Sequence, residues 1–89
     1  MPLIKLKEEF GVDLGSRSYA VKLFENLKNS SSKTTIDFEG IEFVSRSFSQ
    51  EYLNSRLMAD FEMEEINVPD AVRKMFNVVL KNNDIDMRY

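Results

Sequence analysis

The chain has 89 residues, with 12 Lys and Arg against 15 Asp and Glu, a net charge of −3, and no His, Cys or Trp. The lack of His excludes imidazole-based catalysis and histidine metal sites, and the lack of Cys excludes disulfides, thiolate chemistry and cysteine-held metals. A mildly acidic chain without a basic block argues against direct nucleic-acid binding.

The composition is that of one folded domain, which we assign to residues 1–89. Hydrophobic residues make up 43% and charged residues 30% of the chain, which is ordinary for a globular protein. No apolar run is long enough to span a bilayer, and the N-terminus lacks the apolar core of a secretory signal. We therefore expect a cytoplasmic protein without membrane contact, and we expect no cofactor and no metal.

The first third of the chain predicts a strand and a helix. Residues 3–7 alternate as in a short strand, and residues 8–14 are typical of a loop. Residues 19–28 carry apolar side chains at the spacing of one helical face, with Ser16 or Ser18 as the N-cap. Residues 29–32 then predict a polar loop.

The middle of the chain predicts a second strand and helix. Residues 34–38 are β-branched and aromatic, and residues 41–44 continue as extended chain after a bend at Gly40. A helix is expected over residues 48–60, with Ser47 as its N-cap and Gln50 three residues later completing a capping box.

The last third predicts a strand over residues 63–68, a helix over residues 71–81 and a tail over residues 84–89. Pro69 suits the first position of that helix. The alternation of strands and helices predicts an α/β fold in β-α-β-α-β-α order, with a short, mainly parallel sheet and flanking helices. We expect a core that includes Leu23, Phe24, Phe38, Val72 and Phe76.

Two segments carry a family resemblance. Leu-Gly-Ser-Arg at residues 14–17, and the run from Ile36 to Glu51 that includes Asp-Phe-Glu-Gly-Ile and Ser-Arg-Ser-Phe-Ser-Gln-Glu, resemble the STAS-like domain family of unknown function. In that family the first motif opens a helix and the second leads from a strand into the next helix. The resemblance implies a parallel sheet with flanking helices and a regulatory, non-catalytic role.

The resemblance also implies a kind of partner. Related STAS domains of anti-sigma-factor antagonists are phosphorylated on a serine at the start of the helix that follows this strand. Their usual Asp-Ser-Ser/Thr-Gly segment is replaced here by residues 45–48, and the register places either Arg46 or Ser47 at the modified position. Ser47 is the candidate phosphoacceptor, and the expected partner is a histidine-kinase-like ATPase or a DNA-binding regulator in a separate chain.

The same residues admit a second interpretation. Gly15, Ser16 and Arg17, and Ser45, Arg46, Ser47 and Glu51, are expected beyond the carboxyl ends of strands and at helix N-termini. Ligands bind at this position in open α/β sheets. Two arginines there would suit an anion or a nucleotide, whereas the simpler alternative pairs them with Glu or Asp on the surface. A small nucleotide-binding protein or enzyme, and a structural homo-oligomer such as a homodimer, therefore stay open beside an interaction module.

Three further groups have simpler interpretations. Asp37 and Glu51 form a conceivable acid–base pair, but such side chains more often bond to backbone amides or to Arg. The acidic residues 60, 62, 64 and 65 are typical of a solvated face. The apolar stripe of Met75, Phe76, Val79 and Leu80 favours a core helix over a docking helix, whereas Met58, Phe61 and Met63 are harder to bury together and indicate an exposed patch.

Overall fold

A computed structural model of the chain describes residues 3–27 and 33–89. The order of elements is β1 (Leu3–Lys5), α1 (Leu6–Phe10), β2 (Asp13–Leu14), α2 (Arg17–Leu27), β3 (Thr34–Asp37), β4 (Phe43–Val44), α3 (Arg46–Met58), β5 (Met63–Ile66) and α4 (Asp70–Asn82). The end predicted for the first long helix at residue 28, and the serine loop over residues 29–32, lie outside the described residues.

Two small parallel sheets organise the fold. The larger sheet has the order β1-β3-β5, with Ile36 of the central strand opposite Ile4 on one side and Glu65 on the other. The smaller sheet pairs β2 with β4 in parallel over two residues each. The prediction of an α/β fold with a short, mainly parallel sheet and flanking helices is confirmed.

The three long helices bury the apolar faces that their spacing predicts. Leu23 and Phe24 of α2, Val72 and Phe76 of α4, and Phe38 are all buried in one hydrophobic core, as expected. The rings of Tyr52, Phe48, Phe38 and Phe76 pack on one another with centroids 5.2–5.9 Å apart. The α4 stripe is core, since Phe76, Val79 and Leu80 are buried and Met75 is partly so. Met58, by contrast, is 86% exposed.

Residues 3–14 depart from the predicted pattern. The strand stops at Lys5, and residues 6–10 form the short helix α1 instead of more strand and a loop. Leu6 and Phe10 are spaced for one helical face, and Leu6 is fully buried. Residues 13–14 pair as β2, because Val44 of β4 supplies a partner for Leu14 that lies 30 positions away. That pairing depends on tertiary contacts and has no local pattern.

The ends of two segments are fixed by backbone geometry. Gly40 has φ +82° in the bend after β3, and a Cβ there would stand 2.7 Å from Lys7 Cδ, so glycine suits this position. Helix α4 begins at Asp70, which makes Pro69 its N-cap and corrects the prediction of Pro69 as the first helical residue.

Across residues 3–27 and 33–89, no helix has both the length and the apolar character needed to cross a membrane.

Candidate functional site

The smaller sheet brings the two motif segments together. β2 and β4 run in parallel, and beyond their carboxyl ends the chain enters α2 at Arg17 and α3 at Arg46. The backbone N–H of Ser45 donates to the carbonyl of Leu14 at 3.0 Å, which extends the pairing into the helix starts. The N-termini of α2 and α3 therefore lie side by side, at one edge of the molecule.

An ion pair joins the segments across this edge. Arg17 Nε lies 2.9 Å from Glu51 Oε1, and Ser55 Oγ donates to Glu51 Oε2 at 3.3 Å. The Arg17 side chain stays 68% exposed and that of Glu51 25%. We call the surface formed by Gly15, Ser16, Arg17, Ser45, Arg46, Ser47 and Glu51 the docking face. The structure places these predicted site residues on neighbouring elements.

Ser45, and not Ser47, caps α3. Its Oγ accepts the backbone N–H of Phe48 at 3.0 Å, and its backbone is extended, as at an N-cap. The prediction of Ser47 as the cap and of a capping box with Gln50 is wrong. β4 ends at Val44, so Ser45 is the first residue free to turn into the helix. Ser47 lies within the first turn, exposed, with its Oγ 3.2 Å from that of Ser45.

The start of α2 resolves the choice between two caps. Ser16 precedes the helix, its Oγ accepts the backbone N–H of Ser18 at 3.3 Å, and its carbonyl accepts from Tyr19. Ser18 lies inside the first turn. Each helix on the docking face thus has its own serine occupied in capping. The hydroxyls of Ser18 and Ser47 in the following turns lie within hydrogen-bonding distance of these capping hydroxyls, at 2.8 and 3.2 Å.

A shallow cleft adjoins the docking face. It has a volume of about 440 Å³ and runs from Gly15 and Ser16 to Phe10 and Tyr19, whose rings stack at 5.1 Å. Phe43 of β4 is 48% exposed. The face therefore combines exposed charge and hydroxyls with exposed aromatic surface, which is the mixture typical of protein interfaces.

The two carboxylates considered for acid–base chemistry have separate structural roles. Asp37 Oδ1 accepts the backbone N–H of Glu39 at 2.9 Å and the side-chain amide of Asn67 at 3.0 Å. These bonds, with the charge of Lys5, hold the pKa of Asp37 below its ordinary value despite burial. Glu51 pairs with Arg17 instead. Within the described ranges no three acidic side chains converge as a metal site would require.

A buried polar cluster escaped the sequence analysis. The Glu65 side chain on β5 is only 7% exposed, and its Oε2 accepts hydrogen bonds from Tyr52 Oη of α3 and, at 2.8 Å, from Tyr89 Oη. Arg56 Nε lies 3.3 Å from Oε1. Burial, reinforced by the Glu65 charge, raises the pKa values of Tyr52 and Tyr89 well above the ordinary value.

This cluster corrects the interpretation of the acidic run. Glu65 belongs to the interior, while Asp60, Glu62 and Glu64 are exposed as predicted. Glu65 is the member whose strand position faces α3, and the alternation of β5 separates it from Glu64. In the sequence, the only sign of the cluster is that Tyr52, on the buried face of α3, stands four positions before Arg56.

Comparisons with protein-family models, with curated proteins and with solved structures gave no match for this chain. The resemblance to STAS-like domains therefore stays a prediction.

Proposed function

We propose that this chain is a non-catalytic regulatory module of the STAS-like type that docks a partner protein through the docking face. The observation that carries the proposal is the juxtaposition of the two motif segments. Their docking-face residues, 15–17 and 45–51, lie 28 or more positions apart in sequence, yet the β2–β4 pairing and the Arg17–Glu51 ion pair hold them in one surface. The partner class implied by the resemblance is a histidine-kinase-like ATPase or a DNA-binding regulator.

The chemistry of this face supports binding more than catalysis. Each carboxylate considered for acid–base work is engaged, Asp37 by amide donors and Glu51 by Arg17. The exposed Arg46 and Ser47 stand in the first turn of α3 without a neighbouring general base among their described hydrogen bonds. Exposed side chains next to a rigid helix start can recognise a partner without reorganising the core.

The test is a binding comparison on matched charge reversals. The partner is isolated from native lysate with the wild-type chain, identified and purified, and its affinity is measured for Arg46→Glu and for Lys74→Glu. Both residues are exposed and both substitutions change the charge by −2, but Lys74 lies on α4 and does not belong to the docking face. We expect Arg46→Glu to weaken binding at least about tenfold, roughly the 1.4 kcal/mol of one charged contact.

Lys74→Glu should leave that affinity unchanged. Equal weakening by the two substitutions would indicate a general effect of charge and would contradict the docking face. Equal retention would place the partner elsewhere on the molecule.

Anion or nucleotide binding is the second candidate, favoured by the two helix N-termini that meet beside Arg46. Phosphate or sulfate should then raise the melting temperature of the wild type but not of the Arg17→Gln/Arg46→Gln double variant. An equal rise in both proteins would reflect salt exclusion from the whole surface and would remove this candidate. The pairing of Arg17 with Glu51 favours the interaction module over an anion site, because a bound anion would have to compete with the Glu51 carboxylate for Arg17.

A further inference from the structure

The residues that follow α4 fold back on the protein in an ordered way. The chain reverses at Asp84, which has φ 55°, and the N–H groups of Asp84 and Ile85 donate to the carbonyls of Lys81 and Leu80 at 3.1 and 2.9 Å. We call residues 84–89 the strap. Its side chains alternate, with Ile85, Met87 and Tyr89 packed against the core and the intervening residues exposed.

The end of the strap is held by three kinds of contact. The side-chain amide of Asn77 accepts the N–H of Tyr89 at 2.8 Å and donates to its carbonyl at 3.3 Å. The Tyr89 ring packs edge-on against Phe76, with centroids 5.0 Å apart, and its hydroxyl donates to Glu65 at 2.8 Å. Asn77 thus binds the main chain of Tyr89, Phe76 packs against its ring, and Glu65 accepts a hydrogen bond from its hydroxyl. We call this surface the groove.

The groove does not depend on the strap for its own integrity. When Tyr89 is absent, Glu65 Oε2 still accepts the hydrogen bond from Tyr52, and Arg56 still pairs with Oε1. The buried carboxylate is therefore not left without partners. Asn77 is only partly buried and can turn to water. Departure of the strap therefore removes apolar contacts, the two Asn77 hydrogen bonds and the hydrogen bond from Tyr89 Oη to Glu65, but it creates no unpaired buried charge.

The strap also leaves part of the neighbouring α4 surface uncovered. A cleft of about 390 Å³ runs between residues 85–88 and the Asn77, Val78 and Lys81 positions of α4. Val78 beside it is 48% exposed. A segment with larger apolar side chains at the Ile85 and Met87 positions would bury more surface than the strap does.

We propose that the strap is a displaceable internal ligand. The groove accepts in its place an extended segment of a partner protein that carries apolar residues at alternate positions and a tyrosine at the position of Tyr89. The chemistry of that segment is given by the occupant already seated there. This site is separate from the docking face, and the inference holds whether or not that face binds a partner.

The conformation of Asp84 provides a way to open the groove. Proline fixes φ near about −65°, so Asp84→Pro cannot adopt the reversal, whereas Asp84→Gly allows positive φ and keeps it. Asp84 is exposed and lies beyond α4, so neither substitution replaces a buried side chain. Asp84→Pro also removes the N–H that donates to the carbonyl of Lys81. The N–H of Tyr89 reports the state of the strap, and we expect its hydrogen exchange to be at least about tenfold faster in Asp84→Pro than in Asp84→Gly.

The probe is a peptide with the sequence of residues 85–89, capped at both ends, titrated into isotope-labelled full chain. It should shift the backbone NMR signals of Asn77 and Glu65 in Asp84→Pro, with an apparent affinity at least about tenfold higher than for Asp84→Gly, where the strap competes within the same molecule. The same peptide with its Tyr89→Ala change should bind at least about tenfold more weakly to the opened protein.

Each contrary result overturns the proposal. Unchanged exchange at Tyr89 in Asp84→Pro would mean that the strap is a fixed part of the fold. Faster exchange without peptide binding would mean that the groove is no ligand site, and equal affinity for the two variants would mean that the strap does not compete. If Asp84→Pro fails to fold, the Met87→Ser/Tyr89→Ser variant opens the same groove and is titrated with the same peptide.

Discussion

Two Arg–Glu pairs that share helix α3 differ in almost everything except their chemistry. Arg17 and Glu51 meet on the docking face, with their side chains 68% and 25% exposed. Arg56 of α3 and Glu65 of β5 pair in the interior, and their side chains are 24% and 7% exposed. One pair joins two segments at the surface, and the other lies within a cluster that also contains Tyr52 and Tyr89.

The difference indicates which of the two ion pairs is free to change partners. An exposed pair contributes about 0–1 kcal/mol, because water screens it and both side chains lose freedom. Breaking a buried pair costs about 3–5 kcal/mol, because the remaining charge is left without water. The Arg17–Glu51 pair can therefore be exchanged for contacts with a partner at little cost, whereas the contacts of Arg56 and Tyr52 with Glu65 hold α3 to β5.

The largest expected loss of stability concerns Phe76, the apolar residue that packs against both tyrosines of the buried cluster. Phe76 is fully buried, stacked on Tyr52 at 5.2 Å and packed against Phe38 and Tyr89. Phe76→Ala should lower the free energy of unfolding by about 3–5 kcal/mol, measured by urea denaturation. Phe43→Ala on the half-exposed β4 is the matched control, with an expected loss under about 1 kcal/mol. Similar losses in the two variants would contradict the packing.

The second effect compares the two carboxylates directly. Glu65→Ala removes the acceptor of two tyrosines and the partner of Arg56, and should cost about 3 kcal/mol, the lower end of the range because Arg56 retains some contact with water. Glu51→Ala should cost less than about 1 kcal/mol. Urea denaturation at pH 7 measures both. A loss from Glu51→Ala as large as that from Glu65→Ala would remove the distinction between the two pairs.

The third effect is a dependence on alkaline pH that only the buried cluster predicts. Tyr52 and Tyr89 have raised pKa values in the folded chain because of burial and the Glu65 charge. Above about pH 10 the unfolded chain loses these protons while the folded chain keeps them. The free energy of unfolding should therefore fall as pH rises, by about 1.4 kcal/mol per pH unit for each tyrosine.

Tyr89→Phe separates this effect from other alkaline titrations. It removes one of the two tyrosines, so the stability of the variant should fall less steeply than that of the wild type between about pH 10 and 11.5. The quantity to compare is the slope, since the variant also loses one hydrogen bond at neutral pH. Identical slopes would mean that Tyr89 ionises equally readily in the folded chain.

The same comparison separates what the sequence could predict from what it could not. The helices over α2, α3 and α4 were predictable, because a buried face such as Leu23, Phe24 and Leu27 leaves a periodic pattern. The start of α3 after an extended segment was predictable from its motif, since helix starts follow strand ends. β2 was not predictable, because two residues become a strand only when a distant partner arrives.

The buried cluster left weaker patterns. Glu65 stands among other acidic residues and differs from them only in strand register, which the sequence does not fix. The alternation of Ile85, Met87 and Tyr89 was present in the tail, but five residues without a partner strand do not indicate where they pack. The burial of Glu65 and the packing of residues 85–89 could be recognised only once the structure gave the positions of Tyr52 and Asn77.

The smallest effect concerns the two serines at the start of α3. Ser45 Oγ caps the helix through the Phe48 N–H, so Ser45→Ala should lose about 1 kcal/mol. Ser47 is exposed in the first turn, and Ser47→Ala should change the free energy of unfolding by less than about 0.5 kcal/mol. Chemical denaturation of the two variants measures the difference, and equal losses would contradict the assignment of the cap.

Ser47→Asp then tests whether a negative charge at this position acts on binding without acting on the fold. Ser47 lies in the first helical turn, where an acidic side chain interacts favourably with the free backbone N–H groups and the helix dipole. The variant should therefore fold with wild-type stability, while its charge, beside Arg46 on the docking face, weakens partner binding. A phosphate on Ser47 would act in the same direction with about −1.5 to −2 charges. Mass spectrometry of the native protein, with its partner and ATP present, reports whether that phosphate forms, and wild-type partner affinity in Ser47→Asp would remove Ser47 from any regulatory role.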